Sequence, residues 1–400
     1  MLKTFSVCSL LGAAFTPLSS CSTVRIGVTG DVNLDPFLIG GEDGDWGYPW
    51  GDTLSKTKAL DAFFINHEAT IANIVDANPN NFQMEDPVNY TKTFVEAGVD
   101  AFVFANNHQF DYNRSGLDTT LSQALKFDIP SAGVGFEDEV RKPLLLDVEG
   151  VPVALFTMVL INCELDPATG EDIPHTCTCG INETRSGMMD QQCYPATKDL
   201  IGQWLYPHIT DEYIQDIQTT ISDFRAANPA TFILTYLHVG PNFQWSPDPA
   251  RVALLRGVVD AGSDAVWGTS SHHVQGVEWY GGAPIIYGMG DFLFRHFPGI
   301  TDYCPDYAVP CEQFRPELSM LHVLNLEEKT DDSGGYLVTK IVTHPTKHTT
   351  EQVFFANGED RDWMFNTLTE LNKALGGTAE VLNGTDGTLT LVPSNATGML

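Results

Sequence analysis

Apolar runs of strand length, each ending in a polar cluster, recur along the chain. Val24-Arg25-Ile26-Gly27-Val28-Thr29 ends at Gly30-Asp31-Val32-Asn33, and Ala62-Phe63-Phe64-Ile65 ends at Asn66-His67-Glu68. Asp100-Ala101-Phe102-Val103-Phe104 runs into Ala105-Asn106-Asn107-His108-Gln109-Phe110-Asp111. Further on, Thr231 to Leu237 delivers His238-Val239-Gly240-Pro241-Asn242, and Ala265-Val266-Trp267 delivers Gly268-Thr269-Ser270-Ser271-His272-His273. Their β-branched and aromatic content predicts buried strands. Apolar residues at helical spacing predict helices over Thr91 to Gly98, Arg114 to Phe127 and Tyr213 to Ala227. Another helix starts with Asp248 as N-cap and Pro249 at its first position, and stops at Ala261-Gly262. The result is an α/β fold, and in open α/β sheets ligands bind at the carboxyl ends of the strands, where these clusters fall. Each cluster alone also reads as a turn, since Asn and Asp are at home there.

Leu144 to Val148 with Val151 to Val159, and Val274 to Tyr280 with Ala283 to Tyr287, predict two hairpins. Alternation at Ser319 to Leu326 and Tyr336 to Val342 predicts two later strands. The reading is one domain over residues 23–350 with a cysteine-rich, disulfide-tied insertion at 161–196. Residues 351–400 are expected to give a short helix, from Arg361 to Leu375, and then a poorly ordered Gly/Thr-rich tail.

Charge narrows the partners. With 21 Lys and Arg against 52 Asp and Glu, the chain carries a net charge of −31. That argues against nucleic acid or an anionic membrane as a partner. It also repels a small anionic or polymeric substrate, unless a bound cation reverses the field locally. A carboxylate just past a buried strand, as at Asp31, suits a hard cation, and the preceding Gly lets the backbone turn close by.

Residues 1–22 read as a secretory signal whose apolar run, Phe5 to Leu18, is too short to span a bilayer. Leu18-Ser19-Ser20-Cys21 also fits a lipobox, which would make the protein a lipid-anchored lipoprotein through Cys21. Five Asn-x-Ser/Thr sequons, at Asn89, Asn113, Asn182, Asn383 and Asn395, favour a secreted glycoprotein. Beyond Cys8 and Cys21, six cysteines remain, and in an exported chain they favour disulfides over a soft-metal site at Cys177-Thr178-Cys179.

Taken in order, Gly30-Asp31, Asn66-x-Glu68, Asn106-Asn107-His108-x-x-Asp111, His238-x-Gly240 and Gly268-x-x-x-His272-His273-x-Gln275-Gly276-x-Glu278 resemble the CapA family of poly-γ-glutamate capsule synthesis proteins. That family is similar in fold to calcineurin-like metallophosphatases. The resemblance spans Val24 to Phe294 and implies a four-layer α/β/β/α sandwich with a metal site at one edge. It implies Asp31, Glu68, Asn107, His238 and His272 as ligands of one or two divalent ions, with Mn, Fe, Zn and Mg undistinguished. It also implies His108 as proton donor or transition-state stabiliser, oriented by Asp111, and the ring is expected in an open cleft. The implied activity is metal-dependent hydrolysis of a phosphoester or anionic polymer linkage. The alternative is a non-catalytic member that binds a polyanion or partner. The sequence departs from the family pattern at Asn33, His67 and Asn242, and at Thr269 and Ser270, where many relatives carry a further histidine. This last departure predicts a site one nitrogen short on that side, with His273 or a hydroxyl to stand in.

Overall fold

The computed structural model describes residues 23–34, 44–71, 87–110, 113–160, 196–206, 209–240, 242–294, 311–330, 334–349, 351–384 and 386–394. Among them are two sheets. The larger contains β1 (Val24–Asn33), β2 (Ala62–His67), β3 (Ala101–Val103) and β4 (Ser131–Ala132), side by side and parallel. The smaller is built from β5 (Leu144–Val148), β6 (Val151–Leu160), β7 (Leu205–Tyr206), β8 (Phe232–His238), β9 (Ala265–Thr269), β10 (Val277–Tyr280) and β11 (Ala283–Ile286). Within it β6, β8, β9 and β11 run parallel. β12 (Asp291–Phe294) returns to the first sheet beside β1, followed by β13 (Leu318–Glu328), β14 (Tyr336–His348), β15 (Val353–Phe355), β16 (Ala379–Asn383) and β17 (Leu389–Pro393).

Residue alternation fixes the layers. In β8, Phe232, Leu234 and Tyr236 join a core shared with Ile26, Phe64 and Val103, so that core lies between the sheets. Ile233 and Leu237 face the other way, onto helices α3 (Asp211–Ala227) and α4 (Pro249–Asp260) through Ile217, Ile221, Leu254 and Leu255. The outer face of the first sheet presents Phe63, Ile65 and Phe102 to α1 (Pro87–Ala97) and α2 (Asn113–Lys126). The architecture is the four-layer α/β/β/α sandwich expected from the resemblance. Asp248 caps α4 by accepting from the Arg251 backbone N–H at 2.9 Å, as its sequence predicts.

One expectation changes. The segment after residue 350 is built into the fold: α5 (Gly358–Ala374) buries Met364 and Leu368 in the inter-sheet core, and the β16–β17 hairpin pairs with β14. Glycines and threonines suggested a loose tail, but Leu389 and Leu391 face the core at strand spacing, and that burial decides the outcome. The insertion, the signal, the lipobox and the cysteines other than Cys311 lie outside the described residues. Of the sequon asparagines, Asn383 is exposed and Asn89 half-buried. No helix among the described residues is long and apolar enough to cross a membrane.

His322, on β13, is buried in this core with its Nδ1 2.7 Å from Thr343 Oγ1. Burial, with the nearby His344 adding to it, pushes its pKa down to about 3. Below pH 6.5 the unfolded chain takes a proton here that the folded chain refuses. The stability contribution is therefore whole above pH 6.5 and is lost as pH falls toward 3, at about 1.4 kcal/mol per pH unit. His322→Gln is expected to make the acid limb of a urea-unfolding series shallower by about one proton, with little change at pH 7.5. An unchanged slope would show that His322 does not drive acid unfolding.

Candidate metal centre

The site begins with an irregularity in β1. Val24, Ile26 and Val28 face the inter-sheet core, whereas Val32 packs on the outer side. Between Val28 and Asp31, three steps on β1 match two on β2, a β-bulge that reverses which face each residue takes. The bulge turns Asp31 inward. It also leaves Thr29 O to a partner in the opposite sheet, the Trp267 indole N–H at 2.9 Å. Gly30 permits this close approach: a Cβ there would lie 1.7 Å from Gly290 O. Asp31 N donates to that same oxygen at 3.1 Å.

Strand pairing then sets Asn66, Asp31 and Asp291 in a row across β2, β1 and β12. Asn66 Nδ2 donates to Asp31 Oδ1 at 2.7 Å and, more weakly, to Glu68 Oε2 at 3.4 Å. From the facing sheet, His238 follows Tyr236 at inward spacing, and its Nε2 lies 2.8 Å from Asn107 Oδ1 and 3.7 Å from Glu68 Oε1. His272 places Nδ1 2.9 Å from Asp291 Oδ1 and 3.9 Å from Asp31 Oδ2. Two ligand groups result: Asp31 with Glu68 and His238, and Asp31 with His272 and Asp291, the donor atoms of each within 4.8 Å of one another. Asp31 belongs to both.

Asp31, Glu68 and Asp291 are each 1% exposed or less, so three carboxylates share one buried centre. Such a charge cluster is costly unless a cation compensates it. Burial pushes the Asp31 carboxyl above its usual range; His272 opposes this and Asp291 adds to it. Burial likewise holds His238 well below the usual imidazole range, helped by repulsion from His272 and His108. His238 is therefore neutral, and its approach to Glu68 is a polar contact rather than an ion pair. Burial would depress His272 as well, but Asp291 and Asp31 together outweigh it and raise its pKa. Buried oxygen and imidazole donors gathered in this way fit a divalent metal.

The Asn106-Asn107-His108 turn is held from several sides. Asn106 Nδ2 donates to Asn66 Oδ1 and to His67 O, both at 2.9 Å, and Asn106 Oδ1 accepts from the His108 backbone N–H at 3.1 Å. Gln203 Nε2 donates to Phe104 O and Asn106 O at 2.9 and 2.7 Å. Asn106 thus makes the turn, and Asn107 faces His238 from it. His108 is only 4% exposed, which corrects the open cleft, and its backbone is tied to the segment after β2, where Thr70 donates to His108 O at 2.9 Å. Asp111 lies outside the described residues.

The departures from the family pattern have local explanations. His67 points away from the site into a box of Tyr90, Phe94, Phe102 and Phe104, where burial takes its pKa to about 3. It therefore serves as a core residue, with Nε2 3.1 Å from Tyr90 Oη. His273 is also turned aside, its Nδ1 and Nε2 facing Ser271 O and Gln244 O at 2.6 and 2.8 Å. The side of the site expected to be one nitrogen short has the Asp291 carboxylate instead. Sequence reasoning missed Asp291, although Gly290-Asp291-Phe292 follows an apolar run in the same way as the other clusters. Thr269 stands behind His238, with its Oγ1 3.1 Å from Nδ1. Ser270 and His272 adopt left-handed backbone, φ 79° and 56°, a strained conformation for residues other than glycine that is concentrated at functional sites.

A sandwich whose parallel strands end in a buried carboxylate and imidazole centre defines the class: an α/β/β/α protein built around a candidate metal site. The chain belongs to the bacterial capsule synthesis protein PGA_cap family, whose model matches residues 25–296. It is 27% identical over 88% of its length to a probable polyglutamine synthesis accessory protein of Mycobacterium tuberculosis, covering 82% of that protein. The PGA biosynthesis protein CapA of Bacillus subtilis is 24% identical over 61% of this chain and 59% of its own. Among solved structures, TT1561 of Thermus thermophilus aligns over 68% of this chain and 90% of that one. At 10% identity and a TM-score of 0.34, that likeness is too distant to bear on fold or chemistry.

Proposed function

We propose that the protein is a metal-dependent hydrolase acting on a phosphoester or related anionic linkage in the making of a polyglutamate-type capsule polymer, outside the cytoplasm. The observation that supports this most is the convergence of Asp31, Glu68 and Asp291 with His238 and His272 in two buried ligand groups. The names of the relatives supply the polymer context. In this reading Asp31, Glu68, Asn107 and His238 hold one ion, and Asp31, His272 and Asp291 hold a second. The ions would supply Lewis-acid polarisation of a substrate oxygen and offset the negative field of the protein. Asn66 orients Asp31 and Glu68, and Asn106 orients Asn66 and the His108 backbone. His108 delivers a proton to the leaving oxygen.

The test is turnover of bis(p-nitrophenyl) phosphate and p-nitrophenyl phosphate with Mn2+, Zn2+ or Mg2+ added in turn. His108→Ala is expected to lower kcat by roughly 100-fold or more while metal content stays at the wild-type level. A wild-type protein that binds a polyanion yet turns over neither substrate with any ion would make it the non-catalytic binding member of the family. N-terminal sequencing and thiol counting of exported protein test the signal and the disulfides.

A further inference from the structure

Behind His238 lies a closed triangle of polar atoms. Tyr236 Oη is 2.7 Å from Thr269 Oγ1 and 3.2 Å from His238 Nδ1, and Thr269 Oγ1 is 3.1 Å from that nitrogen. All three residues are fully buried, so these hydroxyls stand in for solvent. In front, Nε2 faces the Asn107 amide oxygen at 2.8 Å. An amide oxygen only accepts, so without an ion Nε2 holds the ring hydrogen and Nδ1 must accept one from behind. A hydroxyl can supply it. When Nε2 is needed as a metal ligand, the hydrogen has to sit on Nδ1, and the group behind must become an acceptor. A hydroxyl can do this too, by rotating about its C–O bond.

We propose that Tyr236 and Thr269 are positioning residues that let His238 move its ring hydrogen from Nε2 to Nδ1 as a divalent ion arrives. The inference rests on the metal reading of the centre. His272 provides an internal contrast, because the group 2.9 Å from its Nδ1 is the Asp291 carboxylate, an acceptor when ionised. A carboxylate there fixes the hydrogen on Nδ1 beforehand. Of the two imidazoles, His238 is the one whose Nδ1 is backed by hydroxyls that can either donate or accept.

Nitrogen-15 spectra of the histidine rings, titrated with Zn2+ and assigned by a His238→Asn variant, read the tautomer directly. The expected result is an Nε2–H ring for His238 without the ion and an Nδ1–H ring with it, while His272 carries a hydrogen on Nδ1 without the ion. Calorimetry gives the second readout. Thr269→Val combined with Tyr236→Phe should weaken Zn2+ binding by about 10- to 100-fold at unchanged Tm, and Thr269→Ser should restore wild-type affinity. Wild-type affinity in the double variant, no rescue by serine, or one unchanging tautomer at His238 overturns the inference alone. Wild-type protein that takes up neither Zn2+ nor Mn2+ overturns the metal reading, and this inference falls with it.

Discussion

Asp31→Asn is expected to abolish stoichiometric ion binding, lowering affinity for Mn2+ or Zn2+ by more than roughly 100-fold, beyond the 10- to 100-fold typical of residues that merely orient a ligand. The reason is its shared position, since it is the one residue common to both ligand groups. Glu68→Gln and Asp291→Asn each touch a single group and are expected to remove one ion equivalent, not two. Stability should move in the opposite direction. In chelator, Asp31→Asn removes one of two adjacent buried carboxylates, paired in register across β1 and β12, and its Tm should equal or exceed that of the wild type. With ion present the order reverses, because only the wild type gains binding free energy. Elemental analysis with paired melting curves checks both parts. Full metal content in Asp31→Asn would remove this residue from the centre.

Gly30→Ala is expected to cost about 3 kcal/mol or more, or to prevent folding. The added Cβ meets Gly290 O at 1.7 Å and its carbonyl carbon at 2.8 Å. Both are backbone atoms, so no rotamer change relieves the contact. To make room, β1 and β12 would have to separate where Asp31 pairs with Asp291, so residual folded protein should also bind metal poorly. Gly150→Ala makes a suitable control: its φ of 86° carries only the left-handed penalty of about 1 kcal/mol, and nothing lies within 4 Å. Urea unfolding of the two variants checks the ranking, and a Gly30→Ala protein as stable as Gly150→Ala would refute it.

The sequence and the structure agree where local pattern and burial point the same way. The strands before Asp31, Glu68, His238 and His272 were legible because each is a short apolar run with a polar end, and period-two spacing places His238 on the inner face. The inward turn of Asp31 was not legible, since it depends on a bulge created by contact with Gly290. Asp291 was missed for the same reason. Its place at the end of an apolar run was visible, but its role comes from β12 lying beside β1, a pairing between distant parts of the chain. Thr269 was read as a lost ligand because its position was compared with a family motif. Its hydroxyl matters through Tyr236 and His238, on the neighbouring strand.

The C-terminal hairpin has a consequence for how the molecule behaves among copies of itself. β14 is 13 residues long, and its flank away from β13 is taken up by β15 and β17. Long strands with open hydrogen-bonding flanks recruit other chains, whereas short ones do so poorly. By adding β17 and then the five-residue β16, the chain moves its outermost edge from a long strand to a short one carrying Glu380 and Asn383. The β16–β17 hairpin therefore leaves a five-residue strand as the outer edge at the end of the sheet opposite β4, a poorer template for another chain than β14 would be.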